Sequence, residues 1–222
     1  GSITSTVQAN TTAGFSIVLH TGTGSASTIG HGLGVAPDWI ITKGRTNTNH
    51  WTVLHSSLGA TKFIDLNQGN GSDTATSVWN DTNPTSTVFS VGTNSRINGS
   101  SVTYVSYCFA EVEGYSKFGS YVGNGNADGT FVFTGFRPAW VLIKRTDSTG
   151  SWELYDDQRL GYNVDNNALF PNLSYAEQTD DRVDILSNGF KLRSVDTDDN
   201  ASGGTYIYMA FAEAPFKFAN AR

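Results

Sequence analysis

Alternation of apolar and polar residues dominates the chain, with a period of two. In "TYVSYCFAE", Val105, Tyr107, Phe109 and Glu111 fall on one face, and Tyr104, Ser106, Cys108 and Ala110 on the other. Such a period predicts a β-strand, because successive side chains point to opposite sides of a sheet. Both faces are apolar or small, so the strand is expected to be central and covered on both sides. The stretches "WIITK" and "WVLIK" read the same way, with β-branched residues between a Trp and a Lys. Between such runs lie "GTGS", "NQGNGSD", "GNGNADG", "SNG" and "DDNASGG", which read as turns. Helical periodicity is scarce; "LSYAEQTDD" is the one stretch that suggests a short turn of helix.

The strand phrases occur twice. Adding 102 to Asn98, Thr103, Tyr104, Phe109, Ala110 and Glu111 gives Asn200, Thr205, Tyr206, Phe211, Ala212 and Glu213. Adding 101 to Pro37, Trp39, Lys43 and Trp51 gives Pro138, Trp140, Lys144 and Trp152. One order and nearly one offset point to a duplicated unit of about one hundred residues. The expected fold is therefore all-β, as two tandem pseudo-symmetric repeats of β-sandwich or jelly-roll type. The expected boundaries are an N-terminal arm over residues 1–13, a first repeat over 14–116 and a second over 117–222. Gly1 and Ser2 read as the remnant of a tag.

Composition narrows the chemistry. The net charge is −6 and no cluster of Lys or Arg occurs, so nucleic acid is not an expected partner. The apolar runs are too short for a membrane-spanning helix, so membrane insertion is not expected. Cys108 is the sole cysteine, which excludes an intrachain disulfide and any zinc site built on several thiolates. His20, His31, His50 and His55 lack metal-site spacing and are expected on the surface or in turns. No catalytic residue is expected. Glu111 and Glu213 resemble a glycosidase pair, yet they are one residue of two copies, which favours a structural role such as pairing with Lys43 and Lys144.

A residue kept in both copies is most simply a scaffold residue, whereas a residue of one copy is freer to serve a ligand. Trp39, Trp140, Trp51 and Trp152 are matched and belong to the scaffold. Trp79, in "SVWNDTNP", is unmatched and lies in a segment that reads as a loop. With Asn80 and Asp81 it forms the candidate ligand site, a ring to stack on a sugar beside polar groups. On this reading, Trp79→Ala leaves folding intact. In "DTDDN", Asp196, Asp198 and Asn200 are candidate calcium ligands, alternating oxygen donors outside a full EF-hand loop; no other cofactor is expected.

The phrases "GHGLGVAPDWIITKGR", "WTVLHSSLGATKF", "YCFAEVEGYSKFGSYVGNGNADGTFVFTGFRPAWVLIKRTDSTGSW" and "ASGGTYIYMAFAEAPFKFANAR" carry a resemblance covering about Gly14 to Arg222. The chain resembles an uncharacterised domain of tailed bacteriophages, often marine, found at the end of large virion or tail proteins. The resemblance implies a non-catalytic viral module in a virion or extracellular setting. Its expected partner is a glycan or host cell surface, and homo-oligomerisation is expected through the parent protein. Two alternatives stay open: a purely structural or decoration domain, and a carbohydrate-binding module appended to a polysaccharide-degrading enzyme.

Overall fold

The computed structural model describes residues 1–159 and 167–214. Among them the protein is all-β, with sixteen strands and two one-turn helices. The chain forms two compact units: Gly1–Leu66 with Ser72–Glu111, and Asn67–Gly71 with Val112–Arg222.

In the first unit the strands are β1 (Ser5–Asn10), β2 (Phe15–Thr21), β3 (Ser27–Gly30), β4 (Trp39–Gly44), β5 (Thr52–His55), β6 (Lys62–Asp65), β7 (Asp73–Thr74), β8 (Val88–Val91) and β9 (Thr103–Phe109). Helices α1 (Thr76–Trp79) and α2 (Ser95–Asn98) flank β8. A seven-stranded sheet has the order β1-β2-β9-β4-β5-β6-β7, and β3 pairs with β8 in a second sheet. All pairings of these named strands are antiparallel. Val18, Ile40, Leu54 and Cys108 of the large sheet pack against Ile29, Phe89 and Val91 of the small one, with Val78, Trp79 and Ile97 from the helices filling the same core. Residues 1–13, the expected N-terminal arm, lie within the first unit. Ser5–Asn10 pairs with β2 along its whole length, and Ile3 enters the core at 8% exposure.

The second unit holds β10 (Ser116–Val122), β11 (Phe131–Phe133), β12 (Pro138–Arg145), β13 (Trp152–Asp156), β14 (Val183–Leu186), β15 (Gly189–Leu192) and β16 (Thr205–Ala212). Its main sheet runs β10-β16-β12-β13 and its smaller sheet β11-β15-β14. Tyr121, Val141, Ile143, Tyr155, Tyr206 and Tyr208 meet Val132, Phe190, Leu192 and Val183 in the core between them. Pro138 opens its strand, where a missing backbone donor is tolerated, and the register shifts between Pro138 and Trp140. The strands predicted to be central are central: β9 lies between β2 and β4, and β16 between β10 and β12.

Matched positions make matched contacts. Tyr104 Oη donates to Ser95 O and accepts from Gly99 N; Tyr206 Oη donates to Thr197 O and accepts from Ala201 N. His20 stacks on Tyr104 at 5.0 Å, and Tyr121 on Tyr206 at 4.9 Å. Asn98 accepts from Thr23 N and donates to Ser25 O and Gly92 O; Asn200 accepts from Asn124 N and donates to Asn126 O and Ser194 O. Each of these two fully buried amides pins three loop segments together, satisfying backbone groups that burial would otherwise strand.

Several expectations are corrected by this packing. His20, His31 and His55 are buried, not surface residues. Burial lowers the pKa of His20 and His31, which keeps them neutral enough to sit in a core; His20 bonds Ile97 O and His31 bonds Thr85 O. Lys43 and Lys144 satisfy backbone carbonyls rather than Glu111 and Glu213. Lys43 Nζ donates to Asn47 O and Asn49 O, and Lys144 Nζ to Gly69 O and Gly150 O. Glu213 pairs instead with Arg137 at 2.9 Å.

Candidate functional site

The structure removes the indole from the expected ligand site. Trp79 lies in α1 with zero exposure, packed edge-on against Phe89. One helical turn directs Val78 and Trp79 into the core and leaves Thr76 exposed. Asn80 ends the helix with φ of 55° and Asp81 follows with φ of 46°, both exposed. Without the ring beside them, they form a polar turn and no stacking platform.

The expected calcium set is likewise occupied by other work. Asp196 Oδ1 accepts from Asp198 N, as Asn94 Oδ1 accepts from Arg96 N at the start of α2. Its other oxygen meets Arg182 at 3.2 Å. Asn200 is the buried loop pin already described. Among the described residues no group of three or more His, Cys, Asp or Glu side chains is arranged to hold a metal ion. Asp196 replaces Asn94 with the cap kept, whereas Asp198 departs in role as well, since position 96 carries an arginine.

That departure lies in a groove of about 600 Å3 in the second unit. Its walls come from the segment Asn67–Asn70, from the β12–β13 turn at Thr149–Ser151, from Asn172 and Leu173, and from Thr197 and Asp198. The first unit carries longer side chains at the matched positions. There, Asn47 and Asn49 donate their side-chain amides to Ser95 O, while Arg96 bonds Asp65 at 2.6 Å and covers the Phe63 ring at 4.9 Å. The second unit has Ser148 and Gly150 where the first has Asn47 and Asn49, and Asp198 where it has Arg96.

The floor of the groove is rigid. Lys144 is fully buried, and its ammonium bonds Gly150 O at 2.7 Å and Gly69 O at 3.1 Å. Burial lowers its pKa to about 8, with the nearby Asp198 charge opposing that shift. Asn172 Oδ1 accepts from Trp152 N and fixes the wall to β13. A Cβ on Gly150 would meet Asp198 Oδ1 at 3.0 Å, so glycine there keeps the carboxylate close to the turn. Asn70, Thr149 and Thr197 are exposed and present amide and hydroxyl groups to solvent.

A second feature without a counterpart is a buried ionic cluster. Glu153 and Asp199 both have zero exposure, where the first unit carries Thr52 and Ile97. Arg182 Nη1 donates to Glu153 Oε1 at 2.6 Å, and Tyr155 Oη donates to Glu153 Oε2 at 2.7 Å. Ser194 Oγ donates to Asp199 Oδ1 at 2.7 Å, while Asp199 Oδ2 is buried without a partner among the described residues. Burial raises both carboxyls, Glu153 to about 8 and Asp199 to about 7; neighbouring carboxylates add to the rise and Arg182 opposes it. Arg182 itself is raised, because Glu153 and its neighbours outweigh the effect of burial on the cation. Arg182 also meets Asp180 at 3.3 Å and Asp196 at 3.2 Å, so its single charge is divided among Glu153 and two further carboxylates and reaches Asp199 only electrostatically. The raised pKa values of Glu153 and Asp199 suit acid–base chemistry, yet neither side chain is exposed to a substrate.

Sequence reasoning missed both features. The usable signal was disagreement between positions 101 or 102 residues apart: Thr52 against Glu153, Ile97 against Asp199, Arg96 against Asp198, and Asn49 against Gly150.

No curated protein and no solved structure matches the chain. A family model described as "Domain of unknown function (DUF7483)" matches residues 1–215, nearly its full length, and the chain belongs to that family.

Proposed function

We propose that the protein is a non-catalytic carbohydrate-binding module of a bacteriophage virion or tail protein, and that the second-unit groove receives the glycan. The observation that carries this reading is the groove's lining. Amides and hydroxyls of Asn70, Asn172, Thr149, Ser151 and Thr197 converge on one concave surface with a single apolar side chain, Leu173. Such groups exchange hydrogen bonds with sugar hydroxyls, and a rigid floor limits the ordering cost on binding. A shallow polar site of this kind is weak alone and gains strength when many copies engage one surface. The sequence resemblance to domains at the ends of virion and tail proteins supplies that multivalent setting.

The test is a screen of bacterial surface polysaccharides against the purified chain, followed by titration of the binders into Asn70→Ala/Thr149→Val. Both residues are exposed, so the melting temperature should hold while affinity falls at least tenfold. Failure of every polysaccharide to bind would favour a structural or decoration role. Unchanged affinity in the variant would remove the groove from the proposal.

A further inference from the structure

We propose that the groove selects uncharged and amino sugars and excludes acidic glycans, with Asp198 as the residue that determines this specificity. The inference rests on the glycan-binding reading above and names the ligand class of the same site. Of the residues lining the groove, Asp198 alone is ionisable. It is half-buried, and among the described residues none donates a hydrogen bond to its carboxylate. The nearby cations are committed elsewhere. Lys144 is fully buried with its ammonium on Gly69 O and Gly150 O, and Arg145 is engaged with Asp147 and Thr197 O. The Asp198 carboxylate is therefore the strongest acceptor on the groove wall; the Lys144 ammonium and Arg145 guanidinium attract it electrostatically from behind the wall but direct their hydrogen bonds to other groups.

Such an acceptor binds vicinal hydroxyls through charge-assisted hydrogen bonds, and binds a sugar ammonium more strongly still. A uronate, sialate or phosphate placed in the groove meets a like charge at the wall, while the cations behind it, Lys144 and Arg145, have their hydrogen bonds taken by other partners. The first unit shows the contrast at one position, where Arg96, ion-paired to Asp65, stands in place of the acid.

The probes are glucosamine oligomers, their N-acetylated counterparts and a polyuronate such as alginate. Each is titrated into the full chain and into Asp198→Asn, at low and moderate salt. The expected order is glucosamine oligomer tightest, at least tenfold over its N-acetylated form at low salt, with no measurable polyuronate binding. Asp198→Asn should abolish the tenfold amine preference while keeping the melting temperature within a degree or two. Polyuronate binding equal to that of the glucosamine oligomer, or an amine preference that survives in Asp198→Asn, would overturn the specificity inference while leaving the groove as a glycan site. Absence of binding by all three probes and by the wider polysaccharide panel would overturn the underlying reading with it.

Discussion

Raising the pH from 6 to 8 should destabilise the second unit by about 2–3 kcal/mol. The cause is the buried trio of Glu153, Asp199 and Arg182. Arg182 also faces Asp180 and Asp196, so its one charge leaves at least one of the two buried carboxyls protonated in the folded chain until the pH passes its raised pKa. In the unfolded chain both carboxyls ionise near their ordinary values, between about 4 and 4.5. Across neutral pH the folded state thus holds about one more proton than the unfolded state. Folded-state pKa values raised in this way give stability that is full at low pH and is lost as the pH rises toward about 8. One proton corresponds to about 1.4 kcal/mol per pH unit, and so to roughly 5–10 °C of melting temperature between pH 6 and 8. The groups facing the cluster do not cancel this. Tyr121, Tyr155 and Tyr206 have raised pKa values and stay neutral, while Asp196 and Asp198 are acids that deepen the excess of negative charge. His20 and His31 act with the opposite sign, because their lowered pKa values add stability as the pH climbs through about 6.5. Asp199→Asn separates the two effects. It keeps an acceptor for Ser194 and leaves a matched Glu153–Arg182 pair, while the histidines are untouched. Calorimetric unfolding at pH 6, 7 and 8 should show the wild type losing about 1.4 kcal/mol per pH unit relative to Asp199→Asn. Parallel curves for the two proteins would refute the shared-proton account.

Trp79→Ala should destabilise the first unit by about 3–5 kcal/mol in urea unfolding, because it empties a fully buried aromatic site; a loss below 1 kcal/mol would restore the loop reading. Asn98→Ala and Asn200→Ala should each cost about 2–4 kcal/mol, since each strands buried backbone groups in three segments, and a large difference between them would argue against equivalent roles. Ser101→Gly should stabilise by about 1 kcal/mol, because Ser101 holds φ of 63° where Gly203 in the matched position holds 75° without a Cβ penalty; calorimetry would read it as a rise in the melting temperature of a few degrees.

The strands were legible in the sequence because their signal is local. Two-sided apolar alternation in β9 and β16 marks a central strand wherever it occurs, and both lie at the centres of their sheets. Trp79 was not legible. A helix of four residues contains barely one period, and Asn80, Asp81 and Thr82 after it have the composition of a loop. Burial of its indole is decided by β8 and the facing sheet, which the local sequence does not describe. The histidines failed for a related reason: His20 enters the core only because Tyr104 stacks on it and Ile97 O, seventy-seven residues away, bonds its ring. Asn200 illustrates an avoidable error. It is matched by Asn98, and the rule that assigned matched tryptophans to the scaffold assigns this amide to the scaffold as well.

Comparison of matched positions therefore does more than remove candidates; its residuals locate the chemistry. The turn from Ser194 to Asn200 shows why. Three of its groups repeat contacts of the first unit: Asp196 caps the turn as Asn94 does, Thr197 O accepts from Tyr206 Oη as Ser95 O accepts from Tyr104 Oη, and the Asn200 side chain pins the loops as Asn98 does. Within the frame those contacts fix, two adjacent positions have changed character. Asp198 faces the groove and Asp199 enters the core, where Arg96 and Ile97 stand in the first unit. Asp198 accepts no hydrogen bond from the described scaffold and Asp199 takes only the Ser194 hydroxyl, so burying Asp199 demands a proton or the nearby charge of Arg182. A chain that holds so costly a group directly beside the one ionisable residue of its open groove ties the rigidity of that turn to the charge it presents.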